Sequence, residues 1–141
     1  MVAGGGGYFL IPSSAAGLLN QIGGASYGVT KHAAVGFGEW LAIHHQHQGI
    51  KVSMLCPQAV RTAMTTDGDA QQSAQIQSAS IDGMIEPEEA MESVVQGLRD
   101  ESFLILPHGV VLDYIRGKTA DYDRWIGGMN KLMRSLMGLS S

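Results

Sequence analysis

Ser13-Ser14-Ala15-Ala16-Gly17, followed at a short distance by Ser26-Tyr27-Gly28-Val29-Thr30-Lys31, is the stretch that decides how this chain is read. It follows directly on an apolar run, Tyr8-Phe9-Leu10-Ile11-Pro12, whose lack of alternation predicts a strand buried on both faces of a parallel sheet. Ser26 is the expected N-cap of a helix over Tyr27–Gln46, with Gly49 as its stop. Tyr27 and Lys31 are four residues apart, so one helical turn stacks them on one face. A strand end and the first turn of the next helix lie side by side in an α/β unit, which would bring Ser14 to the same place. An ammonium one turn from a phenol favours the phenolate, and such a pair can move a proton at a substrate oxygen while a serine hydroxyl holds it. Tyr-x3-Lys alone is also ordinary helix decoration, so the weight rests on the serine upstream and on the segments downstream.

Working outward, Lys51–Cys56 predicts a second strand, ended by Pro57-Gln58-Ala59-Val60-Arg61-Thr62. Ligands of open α/β sheets bind beyond the carboxyl ends of strands, where both Ser14 and Pro57–Thr62 fall. On the first helix, Val29, Ala33, Phe37, Trp40 and Leu41 form the expected apolar face. Tyr27, Lys31, Ala34 and Gly38 form a small-residue face open to another backbone or a ligand. Thr65–Gly83 is polar and reads as a mobile loop, either a lid or plain solvated chain. Glu86-Pro87-Glu88-Glu89 opens a helix with proline in its first turn and carboxylates at its positive end, and Ala90, Val94, Val95 and Leu98 form its stripe. Phe103–Leu106 predicts a third strand. A tail helix follows over about residues 113–137, with Trp125, Met129, Leu132, Met133 and Leu136 at helical spacing. That stripe is core by default and a subunit contact as the alternative.

Taken together, the Ser-Ser-Ala-Ala-Gly segment after a strand, Tyr-Gly-Val-Thr-Lys-His-Ala, and Leu55-Cys56-Pro57-Gln58-Ala59-Val60-Arg61-Thr62-Ala63-Met64 resemble the C-terminal half of a short-chain dehydrogenase/reductase. The resemblance spans Tyr8 to about Met64. It implies an oxidoreductase that moves a hydride between NAD or NADP and a small-molecule alcohol or ketone. It makes Ser14, Tyr27 and Lys31 catalytic, with Tyr27, Lys31, Pro57, Val60 and Thr62 on the nicotinamide end of the cofactor. One departure is Gln58, where the family's Pro-Gly has glycine. The other is that the family's glycine-rich dinucleotide half does not precede the serine strand. Gly4–Gly7 come before a strand rather than between a strand and a helix, the wrong order for a phosphate cradle.

The expected fold is therefore α/β, the C-terminal half of a Rossmann-type doubly wound parallel sheet. It has about three parallel strands with flanking helices, as a single partial domain over residues 1–141. A truncated or wrongly started reading frame would explain the half, and such a chain would bind cofactor poorly by itself. The alternative is a non-catalytic fragment that forms a homo-oligomer through the Tyr27–Gln46 helix or the tail. A net charge of −4 leaves no basic footprint for nucleic acid, and no apolar run reaches membrane-spanning length. Cys56 is the lone cysteine, which excludes an intrachain disulfide and fits a reducing cytoplasm. His44, His45 and His47 lack acidic or cysteine partners nearby, so they read as a solvated helix end and not as a metal site.

Overall fold

The computed structural model of the chain describes residues 1–62 and 70–139. Three strands pair in parallel in the order β1 (Gly7–Pro12), β2 (Ile50–Leu55), β3 (Leu104–Ile105). β1 and β2 run in register from Gly7 opposite Ile50 to Pro12 opposite Leu55, and Met54 and Leu55 face Leu104 and Ile105. β2 is central, and burial reaches both of its faces: Ile50, Val52, Ser53 and Met54 are all buried. Ser53 is tolerated there because its hydroxyl donates to the Ser102 carbonyl at 2.6 Å and meets the Tyr8 hydroxyl at 2.8 Å. The glycine run is a short 3-10 turn docked on the sheet rather than a cradle, with Gly7 N–H donating to Gly49 O at 3.1 Å.

Between β1 and β2 lie α1 (Ala16–Leu19) and α2 (Ala25–His45). The expected loop over residues 13–25 thus contains one helical turn. α2 begins two residues earlier than Ser26 would set it. Gly24 is its N-cap and the Gly24 carbonyl already accepts Gly28 N–H at 2.9 Å, so Ser26 sits inside the first turn. Gly49, with φ +78°, ends the segment in the left-handed conformation expected of it.

Of the expected apolar face of α2 only Leu41 is buried. Gly28, Val35, Gly38 and Leu41 are buried, with Val35 and Leu41 in one core cluster with Ile50, Val52, Met54 and Cys56. Gly38 lies against the Met54 sulfur so closely that a β-carbon there would overlap it. The small-residue face is what the sheet packs on. Val29, Phe37, Trp40 and Ile43 are instead 69, 56, 49 and 76% exposed.

After β2, the residues Ala63 and Met64 and residues 65–69 of the polar stretch lie outside the described residues. The rest of that stretch is not a loop: α3 spans Ala70–Ala79. α4 (Pro87–Arg99) opens as read, with Glu86 as N-cap in a reciprocal capping box with Glu89. Its buried face is Ala90, Val94 and Gly97, whereas Val95 is exposed. The tail is two helices, α5 (Val110–Ala120) and α6 (Tyr122–Leu136). Asp121 makes the break: its backbone is extended and its carboxylate accepts Arg124 N–H at 2.9 Å, capping α6. α6 folds back to meet α3, and Trp125 packs against a second buried cluster of Ala15, Leu19 and Val111. Among the described residues no helix is long and apolar enough to cross a membrane.

Candidate active site

The strand register builds the site. Beyond Pro12–Leu55 the ladder continues, Ser13 N–H donating to Leu55 O and Ala15 N–H to Pro57 O, both at 2.8 Å. Ser14 is thereby held beside Pro57. Its hydroxyl donates to Pro57 O at 3.4 Å and accepts Ala16 N–H at 3.1 Å. Ser13 instead turns toward α2, donating to the Lys31 carbonyl at 3.2 Å. The first serine thus anchors the loop to the helix and the second faces the site.

A cavity of about 470 Å³ opens at these strand ends. Ser14, Tyr27, Pro57, Val60 and Thr62, drawn from three separate segments, all line it. Of the residues expected in the site, only Lys31 is not part of the wall. It lies behind Tyr27, with its ammonium 5.5 Å from the centre of the phenol ring, and makes no hydrogen bond or ion pair among the described residues. Its three N–H donors remain for a ligand.

The Pro57 segment has a second feature that suits a carboxamide. Val60 forms a parallel bridge with Ile85 through its neighbours: Arg61 N–H donates to Ile85 O at 2.9 Å and Ile85 N–H to Ala59 O at 3.2 Å. In such a bridge Val60's own N–H and C=O turn the other way. A residue that lines a cavity and offers both a donor and an acceptor fits the nicotinamide amide, which has one of each. The residues present therefore fit the nicotinamide end of NAD or NADP. Gln58, in place of glycine, sends its side chain across to Asp82, Nε2 to Oδ2 at 3.0 Å, while its N–H donates to His108 Nδ1 at 3.2 Å.

Several wall residues carried no readable signal. Asp82, Gln58 and Tyr114 form one network, with the Tyr114 hydroxyl donating to Asp82 Oδ1 at 2.8 Å. That bond, more than burial, raises the Tyr114 pKa. Gln21 donates to Gln75 O at 3.0 Å and bonds Ser78 at 2.8 Å, tying the α1–α2 loop to α3. Trp125, Met129 and Leu132 close one side of the cavity. Their helical spacing was legible, but their position over strand ends more than 60 residues earlier in the chain was not. Behind the site, burial pushes the Cys56 thiol up to about 11 and lowers the His108 imidazole from its usual value. His44 stacks on Trp40, ring centres 4.6 Å apart, and its Nδ1 lies 2.8 Å from Trp40 O. Among the described residues no cluster could hold a metal ion.

A parallel sheet with flanking helices, a serine at the end of β1 and a Tyr-x3-Lys pair on α2 defines a Rossmann-type α/β protein. The short chain dehydrogenase family profile matches residues 1–73. Human epidermal retinol dehydrogenase 2 is 31% identical over 114 residues, covering 76% of this chain and 34% of that protein. Among solved structures, a short-chain dehydrogenase from Streptomyces avermitilis superposes with a TM-score of 0.69 at 22% identity, covering 96% of this chain and 54% of the other. A short chain dehydrogenase/reductase from Burkholderia phymatum, in complex with NAD, gives a TM-score of 0.69 at 22% identity over 87% of this chain and 50% of the other. The chain belongs to the short-chain dehydrogenase/reductase family of oxidoreductases. It spans about a third of the human relative's length and about half of each solved chain.

Proposed function

We propose that residues 1–141 are the catalytic part of one NAD- or NADP-dependent oxidoreductase domain acting on a small-molecule alcohol or ketone in a reducing cytoplasm. The observation that carries the reading is the single cavity wall shared by Ser14, Tyr27, Pro57, Val60 and Thr62, with Lys31 directly behind Tyr27. A bound nicotinamide supplies or accepts the hydride. In the reducing direction Tyr27 gives its phenolic proton to the substrate oxygen, and in the oxidising direction it takes that proton back. Ser14 hydrogen-bonds the same oxygen and keeps it in line. The Lys31 N–H groups would hold the cofactor's ribose. Val60 and Thr62 hold the carboxamide, over a turn set by Pro57.

The test is nicotinamide oxidation with a neutral ketone, assayed with the wild-type chain and with Tyr27→Phe. Wild-type turnover with a loss of at least ~100-fold in the variant supports the reading. Equal rates in the two refute it.

A second reading is favoured by the exposed Val29–Phe37–Trp40–Ile43 stripe, which is large for an unpartnered helix face. It makes α2 the contact of a homo-oligomer, either alongside the chemistry or in a non-catalytic role. The Trp125 side of the tail helix is less suited to that use, since it packs on the chain's own cluster.

A further inference from the structure

We infer that the cavity accepts an uncharged, largely apolar substrate body and rejects carboxylate- or phosphate-bearing ones. The inference rests on the reading above for which end reacts. Away from Ser14 and Tyr27 the wall is mostly apolar, with Leu19, Ile22, Ile76, Trp125, Met129 and Leu132 contributed by the α1–α2 region, α3 and α6, and the neutral Asn20, Gln21, Gln75 and Ser78 among them. No lysine, arginine or histidine lines the cavity among the described residues. Among the described residues its one charged wall residue is Asp82, negative, with one oxygen accepting from Gln58 and the other from Tyr114.

Lys31 stands behind Tyr27 at the reacting end, where the reading above gives it to the cofactor's ribose, and the other cations of the surrounding region are committed elsewhere. Lys118 Nζ donates to the Leu18 carbonyl at 2.6 Å, and Arg61 pairs with Glu86 at 2.6 Å. The stretch from Ala63 to Ser73 cannot supply one either: its only charged residues are Asp67 and Asp69. An anionic group entering this cavity would give up its hydration without gaining a cationic partner in the described wall, and would face Asp82 besides. An apolar ring system would instead bury its surface against Trp125 and the aliphatic wall.

The experiment uses the full chain with Trp40→Phe. Trp40 is the more exposed tryptophan of the two, so Trp125 in the wall becomes the sole tryptophan, excited selectively at the red edge where tyrosine does not absorb. Quenching is titrated with benzophenone and with its para-carboxylate, two ketones of matched shape that differ in charge. The expected result is saturable quenching by benzophenone, with the carboxylate weaker by roughly tenfold or more. Met129→Lys in the same background places a cation in the wall and should narrow or reverse that ratio. Equal or tighter carboxylate binding, no saturable quenching by either ketone, or an unchanged ratio in Met129→Lys each overturns the inference. Binding and turnover are read separately. Absent turnover with the charge preference intact counts against the oxidoreductase reading alone, and turnover without the preference counts against this one alone.

Discussion

Gly17 lies directly on the backbone of Lys31: a β-carbon at Gly17 would sit 2.6 Å from the Lys31 carbonyl oxygen and 2.9 Å from its carbon. The loop carrying Ser14 therefore touches the helix carrying Tyr27 and Lys31 backbone to backbone, and no side chain can be fitted between them. The Ser13 hydroxyl, bonded to the same carbonyl, fastens the contact.

That contact predicts a cost for the smallest possible substitution. Gly17→Ala should destabilise the chain by about 1–3 kcal/mol, the range for overpacking against atoms that cannot rotate away. Urea unfolding measures it. A stability equal to wild type would mean that the loop and helix separate freely.

Tyr27 is partly exposed, and its hydroxyl makes no hydrogen bond among the described residues, so Tyr27→Phe should unfold within about 0.5 kcal/mol of wild type while losing turnover. Ser14→Ala differs: its hydroxyl bridges Ala16 and Pro57, so stability should fall by about 1 kcal/mol along with activity. Paired unfolding and rate measurements separate the two residues.

Cys56 is fully buried, and burial holds its thiol at about 11, against weaker opposing effects from Ser14, Ser13 and Lys31. A thiol of that kind is almost wholly protonated at neutral pH and inert. An aromatic disulfide reagent should release no chromophore from the native chain and one equivalent after denaturation. Rapid native labelling would contradict the packing of β2.

His108 is 7% exposed, and burial lowers its pKa against the opposing pull of the Gly83 carbonyl, Asp82 and Glu89. The unfolded chain therefore takes up this proton first, near ~6.5. Below that pH the unfolded state binds more protons, so this contribution to stability is complete above about 6.5 and is lost as pH falls toward the folded value. His108→Asn keeps an acceptor for Gln58 N–H and removes the titration. The urea midpoint should drop less between about pH 7.5 and about pH 5.5 in the variant than in wild type.

If α2 is an interface, Phe37→Glu with Trp40→Glu should give a monomer by sedimentation at concentrations where wild type associates. Folding stability at high dilution should change by no more than about 0.5 kcal/mol per site, because both side chains face solvent in the single chain. A wild-type chain that is monomeric throughout removes the association reading.

The parts of the site legible in advance are those set by short-range rules. Four-residue spacing places Tyr27 beside Lys31, an unbroken apolar run marks β1, and Pro57 ends β2. The Glu86–Glu89 capping box was equally plain. Other elements misled. α2 carries two apolar faces, and periodicity cannot rank them. Ala34 and Gly38 look like part of a face kept open for a ligand until Met54 is found filling the space at Gly38. The polar composition of Ala70–Ala79 hid a helix, whose side chains at Gln75 and Ser78 find partners in the loop before α2.

The three strands, the helices α2 and α4, the Tyr27–Lys31 pairing and the position of Ser14 at a strand end thus come from local pattern, since each depends on residues within one or two turns. Which face of α2 meets the sheet, how Asp121 turns α6 back, and that Trp125, Met129 and Leu132 wall a cavity begun at Ser14 depend on packing between segments far apart in the chain. Only the folded arrangement settles these, because close packing selects among faces that periodicity alone leaves equivalent.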